Sequence, residues 1–133
     1  ASDYSRIMLN DTADEIVQKI RKAKTDPHPL PTNMKEAYKR PEAFNLLSIF
    51  ASFNSKSTED VVEQYAGKEF SSFKKDLADV IVDKTVPIGK EMQKLIEDKS
   101  YLDEIMRKGR EKAIYVADSV LSKVYEVVGF SKI

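Results

Sequence analysis

The chain has 133 residues, with 22 basic against 22 acidic, 41% hydrophobic, four Gly and no Cys. This length suits a single domain with one modest core, and the Gly-poor, charge-rich composition favours a soluble helical domain over disorder or an all-β fold. No apolar run approaches the roughly 18 residues needed to span a bilayer, and no signal-peptide pattern opens the chain. The lack of Cys excludes disulfides and thiolate metal sites and fits a reducing, cytoplasmic compartment, while the balanced charge requires any nucleic-acid binding to come from a local patch.

In chain order, Ile7–Leu9 reads as a short apolar extended piece. Asp11 is placed to cap a helix over Thr12–Lys24, with Asp14 and Glu15 in its first turn, where the helix dipole favours anions. Ile16, Val17, Ile20 and Ala23 form the apolar stripe of that helix. Thr25–Pro31 carries three of the five prolines; Asp26 and His28 each precede one and are biased away from helix. Residues 25–41 therefore read as a Pro-containing linker running over the surface, with a helical turn within Asn33–Arg40.

A second helix is predicted from Glu42 to Asn54, with Pro41 at its first position and Phe44, Leu47, Ile49, Phe50 and Ala51 on a wide apolar face. Ser57–Asp60 resembles a capping box with Asp in place of Glu, opening a short helix to Ala66. Gly67 is a natural left-handed stop, and Ser71 and Ser72 are candidate caps for the next helix. There Phe73, Leu77, Val80, Ile81 and Ile88 recur at helical spacing, with Met92, Leu95 and Ile96 continuing the face to Asp98. Pro87, which has no N–H, is expected to kink or interrupt that helix one turn upstream. Ser100 is placed to cap a last helix with Leu102, Ile105, Gly109, Ala113, Val116, Val120, Val124 and Val127 at spacings of three and four, stopped by Gly129. The pattern is that of an all-α fold, a bundle of four to five helices with a bent long helix and a long C-terminal helix, in one domain over residues 1–133.

Candidate chemistry is sparse. His28 sits alone between two prolines and reads as an exposed loop residue without metal-ligand partners. The pairs Glu59–Asp60 and Asp103–Glu104 are better explained by helix first turns than by acid–base work. The four glycines are isolated, so no phosphate-cradling loop is present. The basic residues stand out: Arg107, Lys108, Arg110 and Lys112 put four cations and one Glu into six residues. Lys74 and Lys75 join them if the two long helices pack side by side. A solvated helix face and a nucleic-acid contact both fit this cluster. The aromatics Phe44, Phe50, Phe53, Phe70, Phe73, Tyr101 and Tyr125 mostly fall on apolar faces, whereas Tyr4, Tyr38 and Tyr115 sit at more polar positions open to base stacking.

Four stretches in order carry a family resemblance: SRIMLND followed by EIVQKIRKAKTDPHPLP, then RPEAFNLLSIF, then YAGKEFSSFKKDLADVIVDKTVPI, then the stretch from Tyr101 ending VYEVVGF. Together they resemble the C-terminal helical region of bacterial-type tryptophanyl-tRNA synthetases. The sequence departs from that family where many members have Pro-Gly-Val-Ser-Asn and this chain has Pro41-Glu42-Ala43-Phe44-Asn45. The resemblance implies a piece of a longer homodimeric, cytoplasmic class I synthetase that uses ATP with Mg to attach tryptophan to its tRNA. Residues 1–11 then follow a nucleotide-binding domain that lies upstream with the catalytic residues, so the piece itself is expected to catalyse nothing and to hold no metal or cofactor. It also implies that this helical domain receives the anticodon stem and loop, which makes Lys74, Lys75, Arg107, Lys108, Arg110 and Lys112 the candidate tRNA contacts, with Arg40 and Asn45 as weaker ones. The rival reading is a helical protein-interaction or scaffold module that never meets nucleic acid.

Overall fold

The structure, a computed structural model, describes residues 3–130. A 3-10 turn at Asp3–Ser5 precedes α1 (Ala13–Lys22), α2 (Met34–Tyr38), α3 (Pro41–Phe53), α4 (Thr58–Tyr65), α5 (Phe70–Glu97) and α6 (Lys99–Val128). Among the described residues there is no strand, in keeping with the all-α expectation. The chain divides into two compact units, one ending at Met92 and one beginning at Gln93.

In the first unit, Ile16 and Ile20 of α1, Leu46, Leu47 and Phe50 of α3, Val61, Val62 and Tyr65 of α4, and Phe73, Leu77 and Ile81 of α5 form the core. At its centre three rings meet edge to face or tilted. Tyr65 lies 4.9 Å from Phe73 and 5.2 Å from Phe50, and Phe50 lies 5.7 Å from Phe73, the spacing at which ring quadrupoles attract. The Tyr65 hydroxyl donates to the Asp76 carboxylate at 2.9 Å. Burial and that carboxylate push the phenol up to about 12, so it remains a neutral donor.

The Pro-rich segment contributes to this core: Leu30 and Pro31 are among its most buried side chains. The Leu30 N–H donates to the Lys68 carbonyl at 2.8 Å, and the Gly67 N–H donates to the Leu30 carbonyl at 3.1 Å. Gly67 adopts the expected left-handed conformation after α4, φ 68°, which turns its N–H toward that segment.

Several local expectations are corrected. The cap of α1 is Thr12, not Asp11: Thr12 accepts from the Glu15 N–H at 3.3 Å while Glu15 accepts from the Thr12 N–H at 2.7 Å, a reciprocal capping box. Asp11 instead accepts from the Met8 N–H and pairs with Lys19, both side chains little exposed. The start of α5 lies one residue before Ser71, because the Glu69 carbonyl already accepts from the Phe73 N–H; Ser71 and Ser72 are inside the first turn. Asp98, not Ser100, caps α6, accepting from the Tyr101 N–H at 3.0 Å and from the Ser100 hydroxyl at 2.8 Å. A carboxylate at a helix N-terminus gains from the dipole as well as from the hydrogen bond.

Pro87 does not interrupt α5, which runs unbroken to Glu97. Its missing N–H leaves the Asp83 carbonyl without its helical donor, but Asp83 and Pro87 both lie on the exposed side, where a free carbonyl costs little. The core face also ends earlier than periodicity suggests. Ile88, Leu95 and Ile96 are exposed, and the second unit's α6 buries none of its residues. Helical spacing shows that a face is apolar; it does not show that anything covers it. Gly129 ends α6 as expected, left-handed at φ 74°.

Two backbone positions test this packing. Ser55, just past α3, is the only non-Gly residue with positive φ among the described residues, at 54°, so Ser55→Gly is expected to raise stability by about 1 kcal/mol. Gly89→Ala should ordinarily gain about 1 kcal/mol inside a helix. Here the added methyl would run into the Leu9 carbonyl, so a net loss is expected. Urea unfolding followed by circular dichroism reads both signs.

Candidate nucleic-acid interface

Arg40 turns out to be a structural residue. It ends the segment after α2 and precedes Pro41, and its side chain is only 14% exposed. Its guanidinium forks onto the Asp26 carboxylate at 2.9 and 2.6 Å, donates to the carbonyls of Pro29 at 2.7 Å and His28 at 3.2 Å, and reaches Glu36 at 3.2 Å. It also lies 5.8 Å from the centre of the Phe70 ring. Rigid, multidentate donation to carboxylate and carbonyls is what arginine does and lysine cannot. The Arg40 hydrogen bonds hold the Asp26 carboxyl below its usual range. With its N–H donors engaged in this way, Arg40 forms a clamp on residues 26–29.

Beside this clamp, the C-terminal end of α1 and the first three turns of α5 border an open cleft of about 530 Å³. Arg21 and Thr25 line one side, Ser71, Lys74 and Lys75 the other, over Val17, Phe70 and Ala78. Lys74 points inward. Its ammonium donates to the Ala23 carbonyl at 2.6 Å, the Arg21 carbonyl at 3.3 Å and the Thr25 hydroxyl at 3.4 Å, so it closes the end of α1. Burial pushes its ammonium below the ordinary lysine value. Lys75 and Arg21 are exposed, and their side chains have no partner among the described residues.

The second unit holds the other candidates. Arg107 pairs with Glu111 at 2.7 Å and Lys108 with Glu104 at 2.6 Å, both one turn apart on α6. Arg110 and Lys112 are exposed and have no partner among the described residues. Asp103 and Glu104 fall past the first turn of α6, since the helix starts at Lys99; Glu104 is an ion-pair residue. Asn45 lines a different opening, near Tyr4 and Ile49.

The tyrosines suggested for stacking are all exposed, at 50% for Tyr4, 67% for Tyr38 and 83% for Tyr115. Lys22 sits 3.9 Å over the Tyr4 ring and Phe44 lies 5.1 Å from Tyr38, so two of the three already have a neighbour on the ring. His28 is exposed, and its main chain serves the Asp26–Arg40 clamp. Among the described residues no group of three His, Cys, Asp or Glu side chains is placed to hold a metal ion. Sequence reasoning missed Arg21, which looks like any cation in a last helical turn; only the fold brings it to the same cleft as Lys75.

A family profile described as tRNA synthetases class I (W and Y) matches residues 1–84. The chain is 47% identical to a protein named tryptophan–tRNA ligase from Caulobacter vibrioides, and 46% identical to one of the same name from Rhizobium meliloti, in each case over 97% of this chain. A tryptophan–tRNA ligase from Rickettsia felis is 43% identical over the same share. The chain spans 38%, 36% and 38% of the lengths of these three relatives.

The clamp makes a pH-dependent contribution to stability. A carboxyl whose folded pKa is depressed stabilises the fold above its unfolded pKa and loses that contribution as pH falls through the folded value. Arg40→Lys is therefore expected to cost about 2–4 kcal/mol at pH 7, since a partly buried carboxylate loses its bidentate partner. The gap in urea midpoint between Asp26→Asn and the unaltered chain should be widest above about pH 5 and should narrow below the usual carboxylate range. A gap that stays constant to pH 3 would contradict the clamp.

Proposed function

This chain belongs to the class I tRNA synthetases of the W and Y type, and we propose that it is the C-terminal helical part of a tryptophan–tRNA ligase, serving to hold tRNA. The observation that carries this is identity of 40–47% running across nearly the whole chain, through both units, to proteins of that name. In this reading the parent enzyme is cytoplasmic and dimeric, activates tryptophan with ATP and transfers it to tRNA.

The described residues do not suit ATP and its Mg ion: no acidic or histidine cluster gathers to hold the metal, and the glycines stand singly. ATP chemistry is thus assigned to the parent, and these residues bind and orient RNA. For phosphates, the exposed cations without partners weigh most. Arg110 and Lys112 on α6 and Lys75 on α5 can meet a phosphate without first breaking an ion pair. Arg107 and Lys108 must share theirs with Glu111 and Glu104, and Lys74 is engaged with α1.

Phosphate-driven binding releases counterions, so its affinity falls steeply as salt rises. In a filter-binding titration with tRNA, the 133-residue chain is expected to show that dependence. The pair Arg110→Ala and Lys112→Ala should flatten the log–log slope by about 1–2, and Arg107→Ala with Lys108→Ala should flatten it less. Tryptophan-dependent exchange of pyrophosphate into ATP should be absent. Exchange by this chain, or no tRNA binding at low salt, would refute the proposal.

A further inference from the structure

We infer that the cleft between the end of α1 and the first three turns of α5 holds one phosphate and the adjoining unstacked base of an RNA strand. The inference rests on the tRNA reading above and gives it a place in the first unit. Its volume of about 530 Å³ falls within the roughly 300–1,000 Å³ usual for ligand pockets.

The cleft combines two chemistries. Arg21 and Lys75 stand on opposite walls, exposed, with side chains free of partners among the described residues. Lys74 stands between them, its ammonium fixed by the α1 carbonyls. Asp79 is the one carboxylate on the lining and offsets only one of these three cations. Beneath the cations the lining is apolar, with half-buried Val17 beside the edges of the core residues Phe70 and Ala78. The first turn of α5 carries no acidic residue, although the exposed Glu69 just before it offsets part of the field of its amides.

A free phosphate would use the cations and leave the apolar floor wet. A duplex would present phosphates but keep its bases stacked. A single strand with one base turned out uses both, which is how single-stranded RNA is commonly held. This distinguishes the cleft from the α6 cations, which lie on an exposed helix and can give only non-specific phosphate contact.

The test uses Ser71→Asp at the mouth of the cleft in the full chain. A carboxylate in the first turn of α5 favours the helix dipole, so the urea midpoint should hold or rise slightly. The same charge faces the incoming phosphate, and tRNA affinity at low salt should drop by about tenfold or more. Arg21→Ala with Lys75→Ala should lower the salt slope by about 1–2, while Lys35→Ala, on α2 away from the cleft, should leave affinity unchanged. Inorganic phosphate at matched ionic strength should displace tRNA no better than chloride does. If the unaltered chain binds tRNA and the cleft variants bind equally well, the inference falls and the tRNA reading stands. If the unaltered chain binds none, both fall. Selective displacement by inorganic phosphate would make the cleft a simple anion site and would also overturn the inference.

Discussion

The first unit depends on Arg40. Residues 25–31 carry three prolines, so they have few backbone donors and form no helix that could hold them in place. Yet Leu30 and Pro31 must reach the core between the other elements. Arg40 solves this by collecting the Asp26 carboxylate and the carbonyls of His28 and Pro29 from one side, and Glu36 from the other. The hydrogen bonds between Leu30 and the Gly67–Lys68 turn then fasten the far end. Because the guanidinium is little exposed, loss of the Asp26 carboxylate would leave a partly desolvated charge behind. A loop held this way is as determined as a helix. The cleft inherits that order, since Thr25 lies just before the clamped residues and the Phe70 ring lies under the guanidinium.

Lysine and arginine in this chain serve two different ends, and local structure decides which. Lys19, Arg40 and Lys74 are tied to carboxylates or carbonyls at the margin of the core, where partial desolvation strengthens each contact. Arg107 and Lys108 are exposed but matched one turn away by Glu111 and Glu104, pairs worth only a few tenths of a kcal/mol each in water. Arg21, Lys75, Arg110 and Lys112 remain unmatched. A chain of zero net charge can still present positive ground locally, where unmatched cations gather and nearby acids such as Glu15, Asp26 and Asp98 are spent on caps and internal pairs.

Much of the fold was legible from local rules. The helix stop at Gly67, the Pro41 start of α3, the Ser57 cap and the Gly129 stop each follow from one residue's backbone preference and lie where that preference puts them. The misplaced caps of α1, α5 and α6 are off by one or two residues, because several Ser, Thr and Asp compete at each start and only geometry chooses between them. The Arg40–Asp26 fork spans 14 positions and has no local signature at all. Nor has the Gly89–Leu9 approach, where a helical glycine that looks like a defect is required by a chain segment crossing it. Periodicity overreached in one direction: it read the apolar stripe of late α5 as a continuation of the core face, and Ile88, Leu95 and Ile96 are exposed.

The same limit applies to the candidate site. A run such as Arg107–Lys112 catches the eye because its charges are adjacent in sequence, but adjacency on a helix also brings each cation within reach of its own Glu. The α1–α5 cleft is inconspicuous in the sequence, since Arg21 and Lys75 lie far apart along the chain and the cations around Arg21 read as the ordinary basic last turn of a helix. Yet there the cations line an open cleft together with apolar side chains, two kinds of surface that one ligand would have to satisfy at once. Sequence density of charge measures the strength of a field; specificity requires different chemistries held at fixed distances, and that comes from the fold.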